Sequence, residues 1–61
     1  MSAMSEIDMY LNDALECIKA HDMTVPESVD ATVLHYDLTD GEKRTIIHFL
    51  AKAGYKYNVR A

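Results

Sequence analysis

Cys17 and His21 stand one helical turn apart, and with His35 and His48 the chain holds four side chains of the types that ligate zinc. Four is numerically enough for a structural tetrahedral site. The closely spaced ligand pairs that mark zinc modules are missing, however, and His35 and His48 are isolated in the sequence. Partly buried, hydrogen-bonded side chains account for both histidines, so no metal ligand is assigned. No motif pairs Cys17 with a base, which removes the usual signature of an activated nucleophile. Asp37 and Asp40 flank a helix start, where capping explains Asp40 more simply than general acid or base work. Gly41 and Gly54 are the only glycines, so no glycine-rich phosphate loop exists. The expectation is a protein without catalytic residues and without a cofactor.

The elements that position these side chains are legible from periodicity and caps. Ile7, Tyr10, Leu11, Ala14, Leu15 and Ile18 recur at helical spacing, so residues 6–20 read as an amphipathic helix. Ser5 with Asp8 resembles a capping box at its start, and Glu6 and Asp8 suit the first turn of a helix dipole. Met9, Asp13, Cys17 and His21 run down a separate flank of this helix. Pro26 and Glu27 open a second helix, residues 27–37, in which Val29, Val33 and Tyr36 line up with Leu34 and Leu38 beside them. Thr32 to Tyr36 also carry the β-branched and aromatic content of a strand, which leaves a small α+β arrangement with strands at 32–36 and 55–60 as the alternative.

Thr39 with Glu42 is a better capping box, and it starts a third helix, residues 40–53, whose buried stripe is Ile46, Ile47, Leu50 and Ala53 with Phe49 at the margin. Gly54 supplies the stop. Beyond it Tyr55, Tyr57 and Val59 alternate with Lys56, Asn58 and Arg60, the pattern of an extended segment over 55–60 with one apolar and one polar face. The fold class expected is mainly α, about three short helices and an extended C-terminal segment in one domain, 1–61.

Size and charge then bound the role. A chain of 61 residues buries roughly 60% of the surface that it exposes when unfolded, which makes a marginal core and favours a second copy or a partner. One cysteine excludes an internal disulfide, Met-Ser-Ala-Met-Ser lacks the features of a signal peptide, and no apolar run is long enough to span a membrane; a cytoplasmic location is expected. Charge is divided along the chain. Residues 1–40 hold Glu6, Asp8, Asp13, Glu16, Asp22, Glu27, Asp30, Asp37 and Asp40 against Lys19, a net −8. Residues 41–61 hold Lys43, Arg44, Lys52, Lys56 and Arg60 against Glu42, a net +4. Such asymmetry steers basic and acidic partners to different halves, or two copies head to tail.

The expected function is binding to a larger protein as a regulator or inhibitor, one version being an acidic face that imitates nucleic acid. The contact residues expected are Met9, Cys17, Tyr55, Lys56, Tyr57 and Arg60, because tyrosine and arginine dominate interface hot spots and methionine adapts to irregular surfaces.

Met23, Thr24 and Val25, then Pro26 and Glu27, then Gly41, Glu42, Lys43, Arg44 and Thr45 carry a partial likeness. Over residues 22–53 their order and spacing resemble the ribbon-helix-helix DNA-binding regulators. The resemblance implies a dimer in which Met23 to Val25 form a strand paired with its copy, while Lys43, Arg44 and Thr45 at a helix start hold a phosphate. It makes a DNA-binding repressor the alternative function. Asp22 in the ribbon position and an acidic first helix depart from the basic surface that phosphate neutralisation requires.

Overall fold

The computed structural model describes residues 6–58, and over them the chain forms three helices: α1 (Glu6–Ala20), α2 (Val25–Tyr36) and α3 (Asp40–Lys52). The fold is mainly α. α1 runs as the periodicity predicts, and Ser5, the expected cap, lies outside the described residues. Tyr10 and Ala14 are buried on its inner face, with Ile7, Leu11, Leu15 and Ile18 packed around them.

α2 starts earlier than Pro26 implies. Thr24 is its N-cap: the Thr24 hydroxyl accepts the Glu27 amide at 3.2 Å, and Glu27 Oε1 accepts the Thr24 amide at 3.0 Å. Pro26 then sits in the first turn, where no amide is needed. The strand alternative for 32–36 is corrected, because all of these residues lie within α2. The Thr32 hydroxyl explains how a β-branched residue fits there, donating to the Ser28 carbonyl at 2.9 Å. Ser28, Val29 and Thr32 form the buried side of α2. Leu34, expected beside the apolar stripe, points to solvent at 84% exposure. α2 ends at Tyr36, with Asp37 in the left-handed conformation (φ 55°) and its amide donating to the Val33 carbonyl.

α3 repeats the device that starts α2. The Thr39 hydroxyl accepts the Glu42 amide at 3.2 Å while Glu42 Oε1 accepts the Thr39 amide at 2.9 Å. Ile46 and Leu50 are fully buried, Ile47 is half-buried, and Ala53, placed in the buried stripe by periodicity, is exposed as the C-cap. Gly54 follows at φ 98°, a backbone that favours glycine. Thr39→Ala removes one acceptor and leaves the Glu42 amide unpaired, so it should cost about 1 kcal/mol in a urea titration; Thr39→Ser should cost much less.

Beyond Gly54 no strand forms among the described residues. Residues 55–58 instead run back over the bundle. The Tyr55 amide donates to the Leu50 carbonyl at 2.8 Å, Tyr55 and Tyr57 are half-buried against the core, and Lys56 and Asn58 are exposed. The alternation read from the sequence is therefore kept over these four residues without sheet pairing, and Val59 and Arg60 lie outside the described residues. The Tyr57 ring sits 5.9 Å from Lys43 Nζ, near the opposite end of α3, so the segment returns along that helix. α1 packs against both other helices and more extensively against α2.

Candidate functional site

The α1–α2 seam holds the candidate site. α2 crosses back along α1, bringing its C-terminal turn to the middle of α1: the Tyr36 hydroxyl donates to Asp13 Oδ2, and the Tyr10 and Tyr36 rings lie 4.8 Å apart at 45°. Beside this contact the seam stays open. The result is a half-open groove of about 350 Å³ lined by Asp13, Glu16 and Cys17 from α1, by His21 just past its end, and by Ala31, Thr32 and His35 from α2. The volume is at the lower end of ligand-sized sites and suits one long side chain better than a large cofactor.

The groove carries Asp13 at one end, with His35 beside Tyr36 on the facing helix, and His21 at the other. Asp13 receives the Tyr36 hydroxyl, whereas Glu16 is exposed at the rim with no hydrogen-bonded or ion-paired partner among the described residues. Thr32, nearly fully buried, forms the floor with its hydroxyl already satisfied. Ala31 leaves the α2 wall low and apolar. Such a cleft accepts a cation on an aliphatic stem, with the stem over Ala31 and the head between Asp13 and Glu16.

Two phenols next to the groove are shifted. Tyr36 is pushed above its ordinary value of about 10 by its hydrogen bond to Asp13, then by burial and by the charge on Asp13. Tyr10 is raised by burial first and then by Glu6 and Glu42. A phenol with a raised folded-state pKa binds its proton more tightly in the native state than when unfolded. Its contribution is fully present below about pH 10 and is lost as pH rises through the folded value. Thermal melts followed by circular dichroism should therefore show a falling midpoint above about pH 10, with a shallower fall in Tyr36→Phe.

The four potential zinc ligands are not gathered. Cys17, His21 and His35 share the groove, but His48 stands exposed on the outer side of α3. Among the described residues no three His, Cys, Asp or Glu side chains are close enough to hold a metal ion.

The expected contact residues are likewise spread. Cys17 lies in the groove wall, half-buried, and Met9 is 39% exposed on the same helix. Tyr55 and Tyr57 are turned against the core and Lys56 away from it, while Arg60 lies outside the described residues. The phosphate-binding trio separates too. Lys43 pairs with Asp30 of α2 at 3.8 Å and approaches Tyr57, and the Thr45 hydroxyl donates back to the Gly41 carbonyl at 2.9 Å. Arg44 alone of the three is exposed.

Sequence reasoning did not find the second wall of the groove, Ala31 with Thr32 and His35. The flank Asp13, Cys17, His21 was its one visible signal. A basic stripe also went unread: Arg44, His48 and Lys52 fall on one outward face of α3, all exposed, and neither Arg44 nor Lys52 has an ion-pair partner among the described residues. Among these residues no helix is long and apolar enough to cross a membrane. No protein-family model, curated protein or solved structure matches the chain.

Proposed function

We infer that this protein is a non-enzymatic protein-binding regulator or inhibitor, and that it engages a larger protein by taking a basic segment of it into the α1–α2 groove. The observation that carries the reading is the groove itself, in which Asp13 and Glu16 flank a cleft sized for one long side chain. Two exposed acids add the same sign of potential near its His21 end: Asp22 follows His21 in the chain, and Glu27 stands one turn before Ala31 on α2. A partner surface that normally faces nucleic acid meets these requirements, since it is basic and presents long cationic side chains.

The test uses an Arg/Lys-rich peptide as probe and a Glu-rich peptide of equal length as control. Amide resonances of residues 13–17 and 31–35 should shift with the basic peptide only, and Glu16→Lys should weaken its binding about tenfold or more. Equal affinity for the two peptides, or an unchanged affinity in Glu16→Lys, would exclude the groove as the contact.

The second reading, a DNA-binding repressor related to the ribbon-helix-helix regulators, draws support from the exposed stripe Arg44, His48 and Lys52 on α3. Duplex binding at about 50 mM salt that weakens in Arg44→Ala supports it, and no binding at that salt rejects it, because phosphate contacts are strongest there.

A further inference from the structure

We propose that a second copy of this chain occupies the α1–α2 groove with the outer face of its α3, so that the protein self-associates head to tail. The inference rests on the reading of the groove as a site for cationic side chains and names the occupant that is always present, the chain itself.

Both surfaces are ridges of the same pitch. Asp13 and Cys17 on α1 and His21 just past its end, its amide still donating to the Cys17 carbonyl at 3.1 Å, follow one another at i, i+4 and i+8 along the groove. On α3, Arg44, His48 and Lys52 do the same on the outward side. At 1.5 Å per residue each ridge is about 12 Å long, and ridges of this inclination interdigitate when two helices pack. An antiparallel seat brings Lys52 to the acidic end of the groove, His48 over Cys17 and Arg44 to the His21 end. Lys52 then reaches Asp13 and Glu16, while Asp40, exposed at the start of α3, comes to the His21 end. Phe49, 42% exposed beside the stripe, adds apolar contact at the rim.

The pairing must be between molecules. α3 is held to the bundle by Ile46 and Leu50, so Arg44, His48 and Lys52 face away from their own α1 and α2. Groove and stripe therefore lie on different sides of one molecule, and an isologous dimer cannot satisfy both. The contact is heterologous, leaving a free groove at one end of the assembly and a free stripe at the other. Self-association and binding of a basic partner compete for the same cleft.

Sedimentation velocity at pH 8, above the ordinary range of imidazole titration, tests this. At about 50 mM salt the weight-average mass should rise with concentration, and the association should weaken about tenfold or more at about 500 mM, where the Debye length is below about 5 Å. Lys52→Glu should reduce association by a similar factor, keep its helical circular dichroism, and still bind the Arg/Lys-rich peptide because its groove is intact. Glu16→Lys should lose both activities. Mixing the two variants should restore association, because the introduced charges are complementary. A wild-type protein that stays monomeric at millimolar concentration and low salt, or a Lys52→Glu variant that associates like wild type, overturns the inference. Peptide binding without self-association would overturn it while leaving the groove reading standing, and the absence of both would overturn the two together.

Discussion

Leu50→Ala should leave much of the domain unfolded at 25 °C. Leu50 is fully buried near the end of α3, where it packs with Tyr10, Ala14, Val29 and Ile46, and its carbonyl accepts the amide of Tyr55. Truncating such a leucine forfeits the transfer of its side chain and leaves a cavity, about 2–5 kcal/mol together. A core in a chain this short supplies roughly 3–5 kcal/mol in total. The two quantities are of one size, so urea unfolding should show little native baseline, and the half-buried Tyr55 and Tyr57 should lose their packing with it. Leu50→Met, which conserves volume, should cost under about 1.5 kcal/mol and retain a cooperative transition. A cooperative Leu50→Ala melt within about 1 kcal/mol of wild type would show that α3 is not anchored there.

Ala14→Leu acts from the other side of the same core and reaches the groove. Ala14 has no exposed surface and sits on the inner face of α1, between the flank that carries Asp13 and Cys17 and the side that meets α3. Three added carbons cannot be housed without moving α1, and overpacking of this kind costs about 1–3 kcal/mol. Displacement of α1 from α2 strains the Tyr36–Asp13 hydrogen bond and changes the width of the cleft. The expected result is a lower urea midpoint together with weaker binding of the Arg/Lys-rich peptide, under conditions where the variant is still folded. Unchanged peptide affinity in a destabilised variant would uncouple groove width from binding. Ala14→Gly is the contrasting control, since it costs about 1 kcal/mol of helix propensity without pushing the helices apart.

What the sequence revealed and what it hid divide by range of interaction. The bounds of α1 follow from Ile7, Tyr10, Ala14 and Ile18, and the start of α3 from Thr39 and Glu42, because period and capping are settled within one or two turns. The start of α2 is equally local, yet Pro26 and Glu27 drew the boundary away from Thr24, although Thr24-Val-Pro-Glu27 is the same kind of box as Thr39-Asp-Gly-Glu42. Thr32 to Tyr36 were ambiguous because β-branched content cannot distinguish a strand from a buried helix until packing is known. Leu34 shows the same limit in reverse, an apolar residue whose outward aim only the placement of α1 and α3 decides.

The candidate site was half visible for that reason. Asp13, Cys17 and His21 share a flank by helical arithmetic alone. Ala31, Thr32 and His35 become their opposite wall only through the crossing of α1 and α2. Lys43 is a clearer case, since its sequence neighbourhood offers it to a phosphate while Asp30 and Tyr57, distant in the chain, hold it at the bundle. Arg44, His48 and Lys52 were identifiable as one face of α3, but the lack of an ion-pair partner for Arg44 and Lys52 among the described residues was not, because it depends on where every acid of α1 and α2 ends up.

The brevity of the connections, residues 21–24 and 37–39, has a kinetic consequence. Each helix meets its sequence neighbour across a short loop, so most loop closures needed for folding are small and topology places the chain among rapid folders, in the microsecond to millisecond range. Reclosing then outpaces cleavage by an ordinary protease. The lifetime of this protein under proteolysis should accordingly follow the equilibrium population of the open chain and not the rate of opening, so a ligand that fills the groove only in the folded state lengthens it by the factor 1 + [L]/Kd.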